Sequence, residues 1–332
     1  MLLYQAPLEG LTTYIYRNAL KETFGYVDKY FAPFISPYEK RIVTEKEINQ
    51  LLPSHNEGIN LVPQILTNDA KGFGELTHWL YENYGYDEFN LNFGCPSGTV
   101  VSKGRGSGAL KDLDALKDFL DRITENFPYK LSIKTRLGVL DTGEFEEILE
   151  LYNQYELTEL IIHPRVRAEF YNGLPHYDVY KWAVEHSNNP IVYNGNIYKV
   201  SDLDKVAYLD EDSGADSGMS SYVNQVDHKI TLGVMLGRPM IANPGLFREI
   251  RGGKAASQDE LLIFLTIIGD NYQKTFGNDT NVLHRLKEIW VYMGPYLLER
   301  TGVDEKVLKN LMKSKRLSEY KIYMKEILRG LD

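Results

Sequence analysis

A single cysteine lies where a strand-like segment meets a glycine-containing turn. Cys95 is the only cysteine among 332 residues, and it stands between Gly94 and Pro96. An accessible thiol can donate a proton in catalysis, although a lone cysteine is also often a small buried apolar residue. The preceding segment, 88–92, is typical of a β-strand, so Cys95 would follow its carboxyl end. Its position alone leaves both interpretations open.

Further polar side chains lie at or just beyond the ends of other strand-like segments. They are Gln64, Asn92, Lys134, Arg136, His163, Arg165, Asn194, Asn196 and Arg238. In a barrel of parallel strands, all carboxyl ends meet at one mouth. Buried polar groups without a partner cost stability, so this set favours a bound polar ligand. The alternatives are a surface ion-pair role for Lys134 and Arg136 and a structural role for His163.

Two glycine-containing turns, at Gly195 and Gly237, follow the last two predicted strands. In barrels of this kind the corresponding loops often bind phosphate, because backbone N–H groups can approach an anion closely where glycine stands. Arg238 could add positive charge. The glycines could also serve only as turns. A phosphate site near Gln64 and Lys134 predicts that the ligand is FMN.

Strand-like and helix-like segments alternate over residues 1–240. The strand candidates are Leu2–Ala6, Tyr30–Phe34, Leu61–Leu66, Glu88–Asn92, Leu131–Thr135, Leu160–His163, Ile191–Asn194 and Gly233–Leu236. Between them, apolar residues recur at helical spacing, as in 73–84 and 145–152. This alternation predicts parallel strands joined by helices, and eight such units predict a (β/α)8 TIM barrel. A doubly wound sheet is the alternative, but 6–10 is not a glycine-rich dinucleotide turn.

Strand-like segments stop near residue 252. Helical spacing predicts three helices around 261–272, 283–297 and 317–331, which would pack as a small bundle. We therefore divide the α/β chain into a barrel domain at 1–250 and a C-terminal helical-bundle domain at 251–332. The polar stretch 210–227 is expected to form an extended loop before the last strand.

Charge is distributed unevenly along the chain. The formal net charge is −9, but residues 281–332 carry 11 Lys and Arg against 7 Asp and Glu. This basic segment permits an anionic partner such as RNA, although a solvated helix can be equally basic. A membrane span, a signal peptide, an internal disulfide and a metal site are not expected. The composition favours a cytoplasmic protein.

Several motifs resemble those of one enzyme family. The run Asn92-Phe93-Gly94-Cys95-Pro96 resembles the active-site signature of tRNA-dihydrouridine synthases, together with the residues that follow it, Val101, Lys103, Gly106, Gly108, Ala109 and Leu110. Other segments are similar to that family's motifs in the same order, namely 6–10, 62–65, 134–138, 194–197, 233–238, 243–244 and 285–292. The chain departs from the pattern at Pro164, where glycine is usual, and at Asn196, where aspartate is common.

The resemblance implies an FMN-dependent oxidoreductase that uses NADPH or NADH to reduce specific uridines of tRNA to dihydrouridine. It implies a hydride from reduced FMN to C6 of uracil and a proton from the Cys95 thiol to C5. The implied cofactor residues are Pro7, Leu8, Gln64, Lys134, His163, Asn194, Gly195, Asn196, Gly237 and Arg238. The implied substrate residues are Asn92, Arg136 and Arg165, with the basic C-terminal helices holding the RNA.

Two other functions remain open from sequence alone. The first is an FMN-barrel dehydrogenase of a free pyrimidine, of the dihydroorotate or dihydropyrimidine type, which would act without RNA. The second is a non-catalytic RNA-binding module, whose RNA binding would survive Cys95→Ala.

Overall fold

Nine parallel strand segments form a single sheet in the computed structural model, which describes residues 1–38, 43–206 and 231–331. They are β1 (Leu2–Gln5), β2 (Lys29–Phe31), β3 (Leu61–Val62), β4 (Gln64–Ile65), β5 (Glu88–Phe93), β6 (Lys130–Arg136), β7 (Leu160–His163), β8 (Ile191–Tyr193) and β9 (Thr231–Leu236). Their spatial order is β3-β2-β1-β9-β8-β7-β6-β5-β4. The two end segments are consecutive in the chain, separated only by Pro63, so the sheet closes into a barrel. The predicted (β/α)8 fold is confirmed.

The break at Pro63 has a simple physical cause. Proline has no backbone N–H, so it cannot contribute a donor to the ladder. Its carbonyl still accepts a hydrogen bond from the Asn90 N–H at 3.0 Å. The predicted strand 61–66 is therefore two short segments, β3 pairing with β2 and β4 pairing with β5. Of the other predicted strands, 160–163 has the bounds observed, and the rest differ by one to three residues at an end.

Helices follow the strands around the barrel. They are α1 (Tyr14–Thr23), α2 (Glu45–Leu51), α3 (Ala70–Tyr84), α4 (Gly98–Val101), α5 (Leu113–Thr124), α6 (Phe145–Tyr152), α7 (Tyr177–His186), α8 (Arg238–Ala242) and α9 (Leu246–Ile250). Local sequence fixes several of their ends. Thr44 and Glu47 form a capping box at the start of α2, and Gly85 ends α3 in the left-handed region at φ 75°.

Four helices complete the chain: α10 (Gln258–Phe276), α11 (Asp279–Thr301), α12 (Glu305–Lys313) and α13 (Leu317–Leu328). The three predicted helices are confirmed, but α12 was missed because its nine residues bury only Leu311 fully. Helix α10 packs on α1, with Phe264 edge-on to Tyr16, and α11 packs on α8. Arg248 also binds Glu260 with two hydrogen bonds across this boundary. The domain division at residue 250 stays a prediction.

The two ends of the barrel differ in character. At the amino end, Lys29 binds Glu88 at 2.7 Å and Glu159 at 3.1 Å, and the Tyr4 hydroxyl donates to Glu159 at 2.9 Å. Apolar side chains from six strands fill the interior next to them, including Phe31. The barrel is thus closed at the amino end, and the space for a ligand lies at the carboxyl end.

The predicted loop at 210–227 lies outside the described residues. No helix in the described ranges is long and apolar enough to cross a bilayer.

Candidate active site

A cavity opens at the carboxyl ends of the strands, with an empty volume of about 920 Å³. This volume includes the space at the mouth that is open to solvent. Its lining includes every residue predicted for the site except Arg165. The predicted residues brought together here are Pro7, Leu8, Gln64, Asn92, Cys95, Lys134, Arg136, His163, Asn194, Gly195, Asn196, Gly237 and Arg238.

The loop that carries Cys95 is fixed by Asn92 at the end of β5. The Oδ1 atom of Asn92 accepts hydrogen bonds from the backbone N–H groups of Gly94 at 3.0 Å and Cys95 at 2.9 Å. On the other side, the Cys95 carbonyl accepts from the backbone N–H and the hydroxyl of Ser107. Gly106 lies so close that a Cβ there would be 2.8 Å from the same carbonyl oxygen. These contacts hold the half-buried thiol at the mouth.

A buried amide network lies beneath this loop. Asn92 donates to the Oε1 atom of Gln64 at 2.8 Å, and Gln64 donates to the Oδ1 atom of Asn90 at 2.7 Å. Asn90 in turn donates to the Ser132 hydroxyl at 2.9 Å. Side chains at alternate strand positions share one face, which explains why Asn90 and Asn92 both point into the barrel. The network orients Gln64 at the floor of the cavity.

Lys134 is the register partner of Asn92 on the adjacent strand β6. It forms no hydrogen bond or ion pair with the described part of the chain. Burial and the neighbouring Arg136 lower its pKa to about 7, whereas Cys95 opposes the shift. An ammonium group held without a counter-ion favours an anionic ligand, because such a ligand would restore the charged form.

Arg136 and His163 are register partners on β6 and β7. The Arg136 guanidinium donates to the Gly94 carbonyl at 2.9 Å and to the Val166 carbonyl at 3.0 Å, and burial lowers its pKa to about 10. Burial and four surrounding cations hold the pKa of His163 well below its usual range, so the imidazole is neutral. Arg165 can only donate, and its Nη1 lies 3.1 Å from His163 Nε2. The imidazole proton is therefore on Nδ1.

Arg165 does not line the cavity, although the sequence placed it among the substrate residues. Its side chain is fully buried and donates to the carbonyls of Asn172 at 3.1 Å and Gly173 at 2.8 Å, besides its contact with His163. It thus fixes the loop after β7 and orients the imidazole. Arg167 lies in the same loop and, unlike the buried Arg165, is partly exposed.

The two predicted glycine turns lie side by side, because β8 and β9 are neighbours in the sheet. Asn194 ties them together by donating to the Met235 carbonyl at 2.8 Å. The backbone N–H groups of Gly195, Asn196 and Gly237 donate to no acceptor in the described ranges. Unpaired N–H groups converging at such turns are what a phosphate group binds.

Tyr171 also lines the cavity, and sequence reasoning missed it. Its ring lies 4.2 Å from the Arg238 guanidinium and 5.5 Å from that of Arg136. It is 48% exposed, so the ring faces the open mouth. The only sequence signal was an aromatic residue in the loop that follows His163. Among the described lining residues, Glu9 is the one carboxylate, and it pairs with Lys46 at 3.4 Å.

The closed parallel barrel with a cationic cavity at its carboxyl end defines the class, a (β/α)8-barrel protein whose site lies at the carboxyl ends of its strands. The sequence profile of the dihydrouridine synthase family matches residues 4–294, and the chain belongs to that family. The predicted family and its enzyme class, a tRNA-modifying oxidoreductase family, are confirmed.

Curated relatives cover most of the chain. It is 26% identical to the tRNA-dihydrouridine(16) synthase of Cupriavidus necator, over 80% of this chain and 79% of that protein. It is 28% identical to tRNA-dihydrouridine synthase B of Pasteurella multocida, over 74% and 68%. It is 27% identical to the tRNA-dihydrouridine(16) synthase of Shigella flexneri, over 74% of each chain.

Proposed function

We propose that this protein reduces uridine in tRNA to dihydrouridine, with FMN as cofactor and NADPH or NADH as reductant. One observation carries the proposal. Cys95, just past the end of β5, and Lys134 on the adjacent β6 line the same cavity as Gly195, Asn196 and Gly237, whose backbone N–H groups have no acceptor in the described ranges. The lining of this cavity thus combines a proton donor with groups that an anion could accept hydrogen bonds from.

The cofactor proposal is supported by the donors around the cavity. The N–H groups of Gly195, Asn196 and Gly237, with the Arg238 guanidinium, would hold the phosphate of FMN. The ring would lie toward Lys134, which has no partner in the described residues and whose positive charge suits an electron-rich reduced flavin. When bound, the reduced flavin supplies the hydride that is added at C6 of the uracil ring.

Cys95 would supply the proton at C5, so that the C5=C6 bond gains one hydride and one proton. The proton leaves a thiolate, and the charges of Lys134 and Arg136 both interact with Cys95. These two cations would stabilise the thiolate as it forms. The Nη2 atom of Arg136 makes no hydrogen bond within the described residues, and we propose that it contacts a uracil carbonyl.

Asn92 and Arg165 take different roles from Arg136 in this proposal. Asn92 Oδ1 is already used by the Cys95 loop, so Asn92 chiefly positions the proton donor. Arg165 is buried against backbone carbonyls and His163, so it is a positioning residue rather than a substrate contact.

The C-terminal helices would hold the tRNA body. Among their exposed cations that form no ion pair in the described ranges are Lys306, Lys313, Lys315, Arg316 and Lys321. Such a surface can bind phosphates without reading sequence. The target uridine would have to leave its stack to reach the cavity.

The decisive experiment uses purified protein and tRNA from a cell that lacks this gene. We expect a yellow protein with FMN absorbance, which forms dihydrouridine in that tRNA when NADPH or NADH is added. A colourless protein that cannot be reconstituted with FMN would contradict the cofactor proposal. Turnover of a free pyrimidine without RNA would indicate the alternative dehydrogenase. RNA binding without any turnover, unchanged in Cys95→Ala, would indicate a binding module.

A further inference from the structure

Two neighbouring loops at the cavity mouth expose apolar side chains. Phe170 is 46% exposed and Leu174 is 76% exposed in the loop after β7, and Leu140 is 73% exposed in the loop after β6. We call these three residues the apolar rim. Large apolar side chains gathered beside a binding site commonly mark a contact surface for a partner.

Backbone hydrogen bonds join the two loops of the apolar rim. The Arg167 N–H donates to the Gly138 carbonyl at 2.9 Å, and the Ala168 N–H donates to the Val139 carbonyl at 3.0 Å. The loop after β7 is also closed at its base, where Glu169 contacts His176 at 2.7 Å. The apolar rim is therefore held in place before any partner binds, which lowers the entropy lost on binding.

Phe170 itself has an unusual backbone. Its φ is 53° and its ψ is −96°, a combination that a residue with a side chain rarely adopts. Such a conformation persists where the surroundings enforce it and is frequent at ligand-binding positions. The next residue, Tyr171, lines the cavity, so the phenyl ring stands immediately beside the mouth.

Arg167 is the charged group beside the apolar rim that a phosphate could contact. The carboxylates of the two loops are engaged within them, since Glu144 accepts three backbone N–H groups, Asp141 accepts the Gly143 N–H, and Glu169 accepts the Val166 N–H and pairs with His176. Arg167 is different, because its Nε is buried without a partner and its side chain forms no ion pair within the described part of the chain. The region therefore offers an aromatic ring beside an available cation.

We propose that Phe170 stacks on the nucleobase next to the target uridine and that Arg167 contacts a phosphate beside that base. This inference rests on the proposed function, since it requires an RNA substrate. Unstacked RNA is recognised mainly by aromatic stacking together with charge on the backbone. Tyr171 faces the cavity while Phe170 lies just outside it, so the flipped uridine and its neighbour would meet consecutive residues of one loop.

The test measures binding of tRNA from a cell lacking this gene to flavin-loaded protein, at several salt concentrations. Phe170→Ala should weaken binding about tenfold without changing the salt dependence, because a stacking contact releases no counterions. Phe170→Trp should bind like wild type. Arg167→Gln should weaken binding and reduce the slope of log affinity against log salt by about one.

Tyr26→Ala is a matched control. Tyr26 is also an exposed aromatic residue at positive φ, 55% exposed at φ 62°, but it precedes β2 at the opposite end of the barrel. It should leave tRNA binding unchanged. Flavin content and NADPH oxidation report that each variant is folded.

The outcomes separate this inference from the proposed function. Wild-type protein that reduces tRNA while Phe170→Ala binds as tightly as wild type overturns the stacking role alone. A Phe170→Ala defect no larger than that of Tyr26→Ala overturns it as well. Wild-type protein that neither binds nor reduces tRNA overturns the proposed function and this inference with it.

Discussion

Asn92 holds Cys95 in place, since its Oδ1 accepts the Cys95 backbone N–H at 2.9 Å and that of Gly94 at 3.0 Å. The same side chain donates to Gln64 at 2.8 Å, on the floor of the cavity. One buried amide therefore connects the proposed proton donor to a residue proposed to contact the flavin. Because Asn92 lies on β5, its hydrogen bonds make the geometry of the Cys95 loop depend on the position of that strand.

Asn92→Ala should slow the chemical step more than it weakens FMN binding. It leaves two N–H groups of the Cys95 loop and the Oε1 atom of Gln64 without partners, at a cost of about 1–3 kcal/mol each where no water replaces them. We expect the reoxidation of reduced flavin by tRNA to slow at least tenfold in single-turnover measurements. Asn90→Ala is the matched control, because Asn90 is also buried and bonded to Gln64 but does not touch the loop. Equal effects of both variants on the rate would contradict this role.

Cys95→Ala should abolish dihydrouridine formation and leave the first half-reaction intact. General acid catalysis contributes about 10²–10⁴-fold, so the rate of flavin reoxidation by tRNA should fall by that factor. Reduction of the flavin by NADPH should be unchanged, because in the proposed mechanism Cys95 acts only on the uridine. Rapid-mixing absorbance of the flavin follows both steps separately. A variant slowed equally in both steps would indicate that Cys95 supports the cofactor rather than the substrate.

Lys134 predicts a pH dependence of FMN binding. Its pKa in the free protein is about 7, and a hydrogen-bond acceptor of the flavin ring beside it would favour the ammonium form and raise that pKa. Below pH 7 the ammonium is already charged, so this group adds no pH dependence. Above pH 7 binding must take up a proton, and the affinity should fall by up to about tenfold per pH unit.

The measurement is a titration of FMN fluorescence between pH 6 and 9. Lys134→Met should bind FMN more weakly and with a flatter pH profile. An affinity that does not change between pH 7 and 9 in the presence of Lys134 would rule out its contact with the flavin.

The sequence was informative about strands and about residues at strand ends. Strand 160–163 was located with its observed bounds, and Lys134 and Arg136 share a face because strand side chains alternate. The alternation of side chains along strands and the parallel strand topology together predicted which residues, such as Gln64, lie at the carboxyl end of the barrel. These residues line the cavity.

Loop residues were harder to place, because their side-chain directions depend on contacts from distant segments. Arg165 looked like a substrate residue at a strand end, yet carbonyls seven and eight residues further on bury it. Tyr171 faces the cavity, where Arg136 of β6 and Arg238 of α8 lie near its ring. No periodic pattern in the sequence predicts the contacts of Arg165 or those of Tyr171.

Gly106→Ala should disturb the Cys95 loop. The glycine has φ 56°, and a Cβ would lie 2.8 Å from the Cys95 carbonyl oxygen and 3.0 Å from its Cβ. We expect slower uridine reduction and a loss of stability above the approximately 1 kcal/mol that positive φ alone costs. Gly85→Ala is the control, because it has φ 75° and open space around it. Urea unfolding and single-turnover rates test both variants, and a Gly106→Ala protein as active as Gly85→Ala would contradict the expected clash.

Lys29→Met should destabilise the closed amino end of the barrel without affecting the cavity. It removes the cation between Glu88 and Glu159, and the Glu159 side chain is only 2% exposed. Breaking a buried pair in this way costs about 3–5 kcal/mol. Burial already raises the pKa of Glu159 in the native protein, and removing Lys29 raises it further. A raised carboxyl pKa penalises the ionised native state, so the loss should be larger at pH 8 than at pH 5.

Urea unfolding of Lys29→Met at both pH values measures this loss of stability. The Lys29→Met/Glu159→Gln double variant is expected to recover part of it. A cost below about 1 kcal/mol at pH 8 would show that water or rearrangement stabilises the carboxylates in place of Lys29.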